Sequence, residues 1–187
     1  MPGLRGLNME KKLAGTLSCD NFSGISGNME MLLHRIRMGK PEAYAMIYGK
    51  QKTDCICRNV LFYPLWGGTL VTAEIAGLPV KEGVCGGNFF GFHIHEGSVC
   101  KGTEEDPFAD VGGHFNPGKC SHPFHAGDLP PLLENNGYAL SVFFTDRFTP
   151  EEVVGRTVIV HDMPDDFRTQ PSGDSGAKMA CGEIREY

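Results

Sequence analysis

Residues 89–95 read Phe-Phe-Gly-Phe-His-Ile-His, and this stretch decides the fold. Its aromatic and β-branched residues predict a strand. In a strand, residues i and i+2 share a face. His93 and His95 therefore project together, with Phe92 and Ile94 packing on the opposite side. Two imidazoles then stand side by side on a rigid element, and imidazole binds borderline transition metals in its neutral form. Outward from this point the same strand signature recurs at 43–48, 59–63, 68–75, 138–144, 156–161 and 180–184. Short strands separated by Gly/Pro-rich turns predict an all-β sandwich or barrel. A helical signal late in the chain is TPEEVVG (149–155), with Thr149 as N-cap and Pro150 at the first helical position.

Six of the seven histidines fall between His93 and His161. The stretch 96–137 has few strand signals and carries three of them. A loop of that length in a compact domain is usually functional. His114, His122, His125 and Asp128 form a complete tetrahedral zinc set, which leaves no open position and makes such a site structural. Cys120 lies in the same loop as a surplus fifth group and is expected not to bind. His161 ends the alternating run TVIVH. With His93, His95 and His114 it makes a four-nitrogen set of the kind that suits Cu(II). His114 is then used twice, once through each ring nitrogen.

The composition narrows the class. A net charge of −6 argues against nucleic acid and against an anionic membrane surface as partners. No apolar run approaches the ~20 residues of a membrane span. Seven cysteines, an odd number, leave at least one thiol free or intermolecular. Cys55 and Cys57 form a lone C-x-C, read as two ordinary thiols, and neither Cys19 nor Cys85 has an assigned role. Residues 1–40 read as an N-terminal extension, partly disordered or forming one short helix over 29–38, with NFSGISGN (21–28) as turn. Residues 41–187 read as the folded β domain. LAGTLSC (13–19) is too short and mild for a secretory apolar core. The expected location is therefore the cytoplasm, with the periplasm or extracellular space as the alternative.

The segments GFHIHE (91–96), GGHFNP (112–117), HAGDLP (125–130), GRTVIVHD (155–162), PDD (164–166) and QPSGDSGAKMACGEI (170–184) occur in the order and approximate spacing of copper/zinc superoxide dismutases. Over roughly 42–187 the chain resembles that family. The resemblance implies a Greek-key β-sandwich or flattened barrel of about eight strands with long metal-binding and channel loops. It implies one copper per chain on His93, His95, His114 and His161, and one zinc on His114, His122, His125 and Asp128. Asp165 matches an aspartate that hydrogen-bonds one histidine of each metal. Cys100 and Cys181 match an intrasubunit disulfide. Ser172, Gly176 and Lys178 match active-channel positions, with His114 and Lys178 as the catalytic side chains. The implied activity is dismutation of superoxide anion to oxygen and hydrogen peroxide, and a homodimer is compatible with the family.

One departure stands out. Lys178 occupies the position of the family's channel arginine. A lysine keeps the positive charge but lacks the planar fork, so a reduced rate is expected. Lys101, Lys119 and Arg168 are candidates for steering the anion, because the segment 161–181 is net negative. Two further readings compete with the enzyme. One is a copper/zinc binding or storage protein without significant turnover. The other is a structural zinc domain, which leaves His93, His95 and His161 unexplained.

Overall fold

The computed structural model describes residues 25–50, 56–80 and 88–187. Cys19, Cys55 and Cys85 lie outside them. The chain separates into two units, Met1–Met38 and Gly39–Tyr187. In the first, α1 (Ile25–Met38) begins four residues before the expected start, inside the stretch read as turn. Ser26, Gly27 and Asn28 are poor helix formers, but the first turn lacks intrahelical N–H partners and tolerates them.

The second unit is mostly β. Its strands are β1 (Ala43–Gly49), β2 (Cys57–Leu65), β3 (Gly68–Ala76), β4 (Phe89–Phe90), β5 (Phe92–His95), β6 (Leu132–Leu133), β7 (Tyr138–Thr145), β8 (Thr157–His161) and β9 (Lys178–Glu186). A short helix, α2 (Pro150–Val153), follows β7. Its start carries the expected cap, with Thr149 N–H donating to Glu152 Oε2 at 2.7 Å. Seven strands form one curled antiparallel sheet in the order β5-β8-β9-β1-β2-β3-β7, and β4 pairs with β6. The non-sequential neighbours make this a Greek-key sandwich. The predicted strand 89–95 is split at Gly91, whose N–H donates to Met163 O and whose carbonyl accepts His161 N–H.

The sheet's curl encloses the core. Ala45 and Ile47 of β1, Phe62 of β2, Val71 and Ile75 of β3, Phe92 and Ile94 of β5, and Val158 and Val160 of β8 are buried together there. Each large side chain contributes about 1.5–3 kcal/mol by leaving water. β8 is buried at every residue, because Ile159 packs into a second cluster with Phe108, Val111 and Cys181. That cluster lies under the loop following β5. The Cys100–Cys181 disulfide, with a Cα separation of 5.8 Å, ties this loop to β9.

β5 is the outermost strand of the sheet on this side. Its inner neighbour is β8, with His93 opposite Ile159 and His95 opposite Thr157. Its other flank is bonded by the long loop. Ile94 N–H donates to Gly127 O, Phe115 N–H to Ile94 O, and Leu129 N–H to Phe92 O, at 2.8–3.3 Å.

Candidate metal centre

Strand alternation places the site. On β5 the core takes Phe92 and Ile94, so His93 and His95 point to the outer face of the sheet. On β8 the core takes Val158 and Val160, so His161 emerges on that same face. An irregularity in the β8–β9 pairing at Val160/His161 sets His161 opposite Lys178 while Ile159 faces Cys181. Lys178 and Cys181 are three residues apart and would face opposite ways in a regular strand. The bulge buries both Met179 and Ala180 in the core, and so both Lys178 and Cys181 face the loop. Bulges commonly re-aim a side chain in this way.

The long loop supplies the remaining ligand-type residues. Its backbone bridges set Asp128 beside His93 and His114 beside His95. Two groups result, His93/His95/His114/His161 and His114/His122/His125/Asp128, and in each the ligand-type atoms lie within 4.8 Å of one another. All seven residues are buried.

The hydrogen bonds fix which ring nitrogens carry protons, because a carboxylate or carbonyl oxygen only accepts. His93 donates Nε2–H to Asp165 Oδ2 at 2.8 Å, and His122 donates Nε2–H to Asp165 Oδ1 at 2.9 Å. His95 donates Nδ1–H to Gly112 O at 2.9 Å, and His161 donates Nδ1–H to Gly176 O at 3.3 Å. The opposite nitrogens are left as lone pairs. His93 Nδ1, His122 Nδ1, His125 Nδ1 and His114 Nε2 are buried without a hydrogen-bond partner. His95 Nε2 and His161 Nε2 face each other at 3.3 Å, each with its proton committed to the other nitrogen. His114 turns Nδ1 to Asp128 Oδ1 at 2.7 Å, and its Nε2 is the orphan.

Buried lone pairs converging without protons are costly unless a cation sits between them. The donor chemistry fits two metals: a four-nitrogen set suited to copper, and a three-nitrogen, one-carboxylate set suited to zinc. Charge agrees with this. Burial, reinforced by neighbouring imidazoles, holds His95 well below its usual pKa and His161 down to about 3. Burial likewise lowers His93. Burial pushes Asp165 up, but hydrogen bonds from His93, the Phe167 N–H and His122 outweigh it and bring the carboxyl to about 2. Asp165 thus stays ionised and spans the two groups.

The positions expected in the channel open onto one cleft of about 910 Å³. His95, His114, His125, His161, Ser172, Gly176 and Lys178 line it, as do Lys50 and Lys119. Lys101 and Arg168 do not line it. Gly176, at φ +76°, turns its carbonyl to His161, and a Cβ there would strike Asp162 Oδ1 and Met163. Cys120 and Cys57 are exposed free thiols.

Sequence reasoning missed three polar residues. Gln170 grips the His122 backbone, donating to its carbonyl at 2.8 Å and accepting its N–H at 3.0 Å. Arg147 Nη1 reaches the carbonyls of Pro123, His125 and Asp128 at 3.2–3.3 Å. Asp106 pairs with Lys178 at 2.6 Å. None stands in a recognisable spacing with its partner.

Residues 61–184 match the family model described as copper/zinc superoxide dismutase. The chain belongs to the copper/zinc superoxide dismutase family. It is 33% identical over 164 residues to a superoxide dismutase [Cu-Zn] of Deinococcus radiodurans, covering 78% of this chain and 85% of that one. It is 33% identical over 161 residues to an extracellular superoxide dismutase [Cu-Zn] of Drosophila melanogaster, covering 76% and 84%. A superoxide dismutase-like protein of Bacillus subtilis is also 33% identical, over 113 residues covering 52% and 56%. For a copper/zinc superoxide dismutase the Cys100–Cys181 disulfide and the two histidine groups are consistent features, and family membership implies copper and zinc as cofactors.

Proposed function

We propose that the protein dismutates superoxide to oxygen and hydrogen peroxide at a copper held by His93, His95, His114 and His161. A zinc held by His114, His122, His125 and Asp128 stands beside it. The observation that carries this reading is the set of buried ring nitrogens without hydrogen-bond partners that converge on both sides of His114, with His95 Nε2 and His161 Nε2 facing each other at 3.3 Å. Copper supplies one-electron transfer in both directions, and zinc supplies fixed positive charge.

The chain's own residues do the rest. Asp165, Gly112 O and Gly176 O hold the imidazole tautomers, so that ring orientation is set before any metal arrives. His114 lines the cleft, and its Nε2, when not engaged by copper, would hold a proton for peroxide formation. Lys178, Lys50 and Lys119 place ammonium groups on the cleft wall for an anionic substrate, among the carboxylates of Glu96, Glu105 and Asp106. The disulfide, which forms in oxidising surroundings, and the likeness to an extracellular relative support an oxidising compartment over the cytoplasmic expectation.

Metal analysis of purified protein with a superoxide dismutation assay tests the reading. One copper and one zinc per chain with catalytic dismutation, at a rate reduced by the lysine, is expected. Both metals without turnover would replace it with the copper/zinc binding protein.

A further inference from the structure

Lys178 is the channel cation suggested by family resemblance, yet its ammonium does not stand free. Its Nζ lies 2.6 Å from Asp106 Oδ2, on the wall of the cleft leading to His95, His114 and His161. Asp106 is not a loose surface acid. Its Oδ1 accepts the Phe108 N–H at 3.1 Å, and its own N–H donates to Thr103 Oγ1 at 3.1 Å. Its carbonyl accepts the N–H groups of Thr103 and Ala109 at 2.9 and 3.1 Å. This turn leads into the cluster of Phe108, Val111, Ile159 and Cys181, which the disulfide locks to the strand bearing Lys178. The carboxylate is therefore presented to the ammonium by fixed structure. The Lys178 hydrogen bond holds the Asp106 carboxyl below the usual carboxylate range.

We propose that Asp106 is a positioning residue of the anion channel, pinning Lys178 Nζ at the cleft wall and cancelling part of its charge. The proposal rests on the superoxide reading above. A small anion entering the cleft meets an ion pair, and the field of a pair falls off faster than that of a lone charge. The anion then competes with Asp106 for the same Nζ, on a wall where Lys50 and Lys119 add positive charge and Glu96 and Glu105 add negative charge.

Asp106→Asn removes the charge and retains an oxygen to accept the Phe108 N–H, so the turn is preserved. Copper/zinc-loaded wild type and variant are compared by two readouts. One is kcat/KM for superoxide as a function of ionic strength. The other is azide affinity from an absorption titration, which needs no turnover. In the variant both should rise, by about 2- to 10-fold at ~10 mM ionic strength, and the gain should shrink towards parity near ~0.5 M salt. Asp106→Glu, which keeps the carboxylate, should stay within about twofold of wild type. Asp106→Ser replaces the Asn variant if that fails to fold. Unchanged azide affinity and unchanged salt dependence at equal metal content would overturn the proposal. Absence of dismutation in the wild type would instead defeat the superoxide reading, and the azide comparison would still decide the role of Asp106.

Discussion

Replacing Asp165 with Asn separates the two metal groups, because the amide can imitate only half of the carboxylate. Asp165 Oδ1 accepts from His122 Nε2–H at 2.9 Å and from the Phe167 N–H at 2.7 Å, while Oδ2 accepts from His93 Nε2–H at 2.8 Å. The one oxygen of Asn keeps most by staying at the Oδ1 position, which turns the NH2 towards His93. His93 must then lose its hydrogen bond or move its proton to Nδ1, into the four-histidine group. Losing a charge-assisted bond costs about 1.5–3 kcal/mol, and a stranded buried donor adds about 1–3. Partial relaxation brings the expected loss to about 2–3 kcal/mol, or ~30- to 150-fold in copper affinity at about 1.4 kcal/mol per decade, near the upper end of the effect of outer partners elsewhere. Zinc affinity should fall by much less, because His122 keeps its acceptor. Chelator competition, run separately for each metal, measures the asymmetry. Equal losses, or a larger loss for zinc, would refute this account of how Asp165 works.

Other outcomes follow from the same geometry. Gly176→Ala should displace the carbonyl that holds His161, since the new Cβ meets Asp162 and Met163 at φ +76°. A fall of about 2 kcal/mol or more in the urea stability of the metal-free protein is expected. Reducing Cys100–Cys181, which closes a span of 81 residues, should cost about 4 kcal/mol, read as a lowered denaturation midpoint in dithiothreitol. The pKa of His161 is about 3 in the folded chain, against an ordinary value of 6.5, so the unfolded chain binds the extra proton between these values. Stability of the metal-free protein should be full above about pH 6.5 and decline as pH falls towards 3. Its imidazole NMR signals should show no protonation above about pH 4.

Strands such as β1 were legible because one buried face imposes alternation on the sequence, whereas β6 has only two residues and left no such pattern. β8 was read as alternating, yet it is buried at every residue, since its two faces meet different apolar clusters. The histidines were legible because that residue type is rare, short-spaced and chemically narrow. Asp106, Gln170 and Arg147 were not legible. Each is an ordinary surface residue type whose partner lies 19 to 72 residues away, and only the folded path of the loops brings them together. The β8–β9 irregularity was equally hidden, because nothing in AKMACG marks which residue is doubled. α1 started earlier than propensity suggested, because a first turn is lenient towards Ser, Gly and Asn.

The loop segments around Phe115 and Gly127–Leu129 also clothe the flank of β5 with backbone hydrogen bonds. A bare strand flank is a template on which another chain can add. Phe92 and Ile94 would make that template apolar on its inner side. The metal-carrying loop is thus also the guard of an adhesive margin. Whatever loosens it, whether metal loss, acid or reduction, should make the protein prone to assembling with itself before the rest of the sheet unfolds.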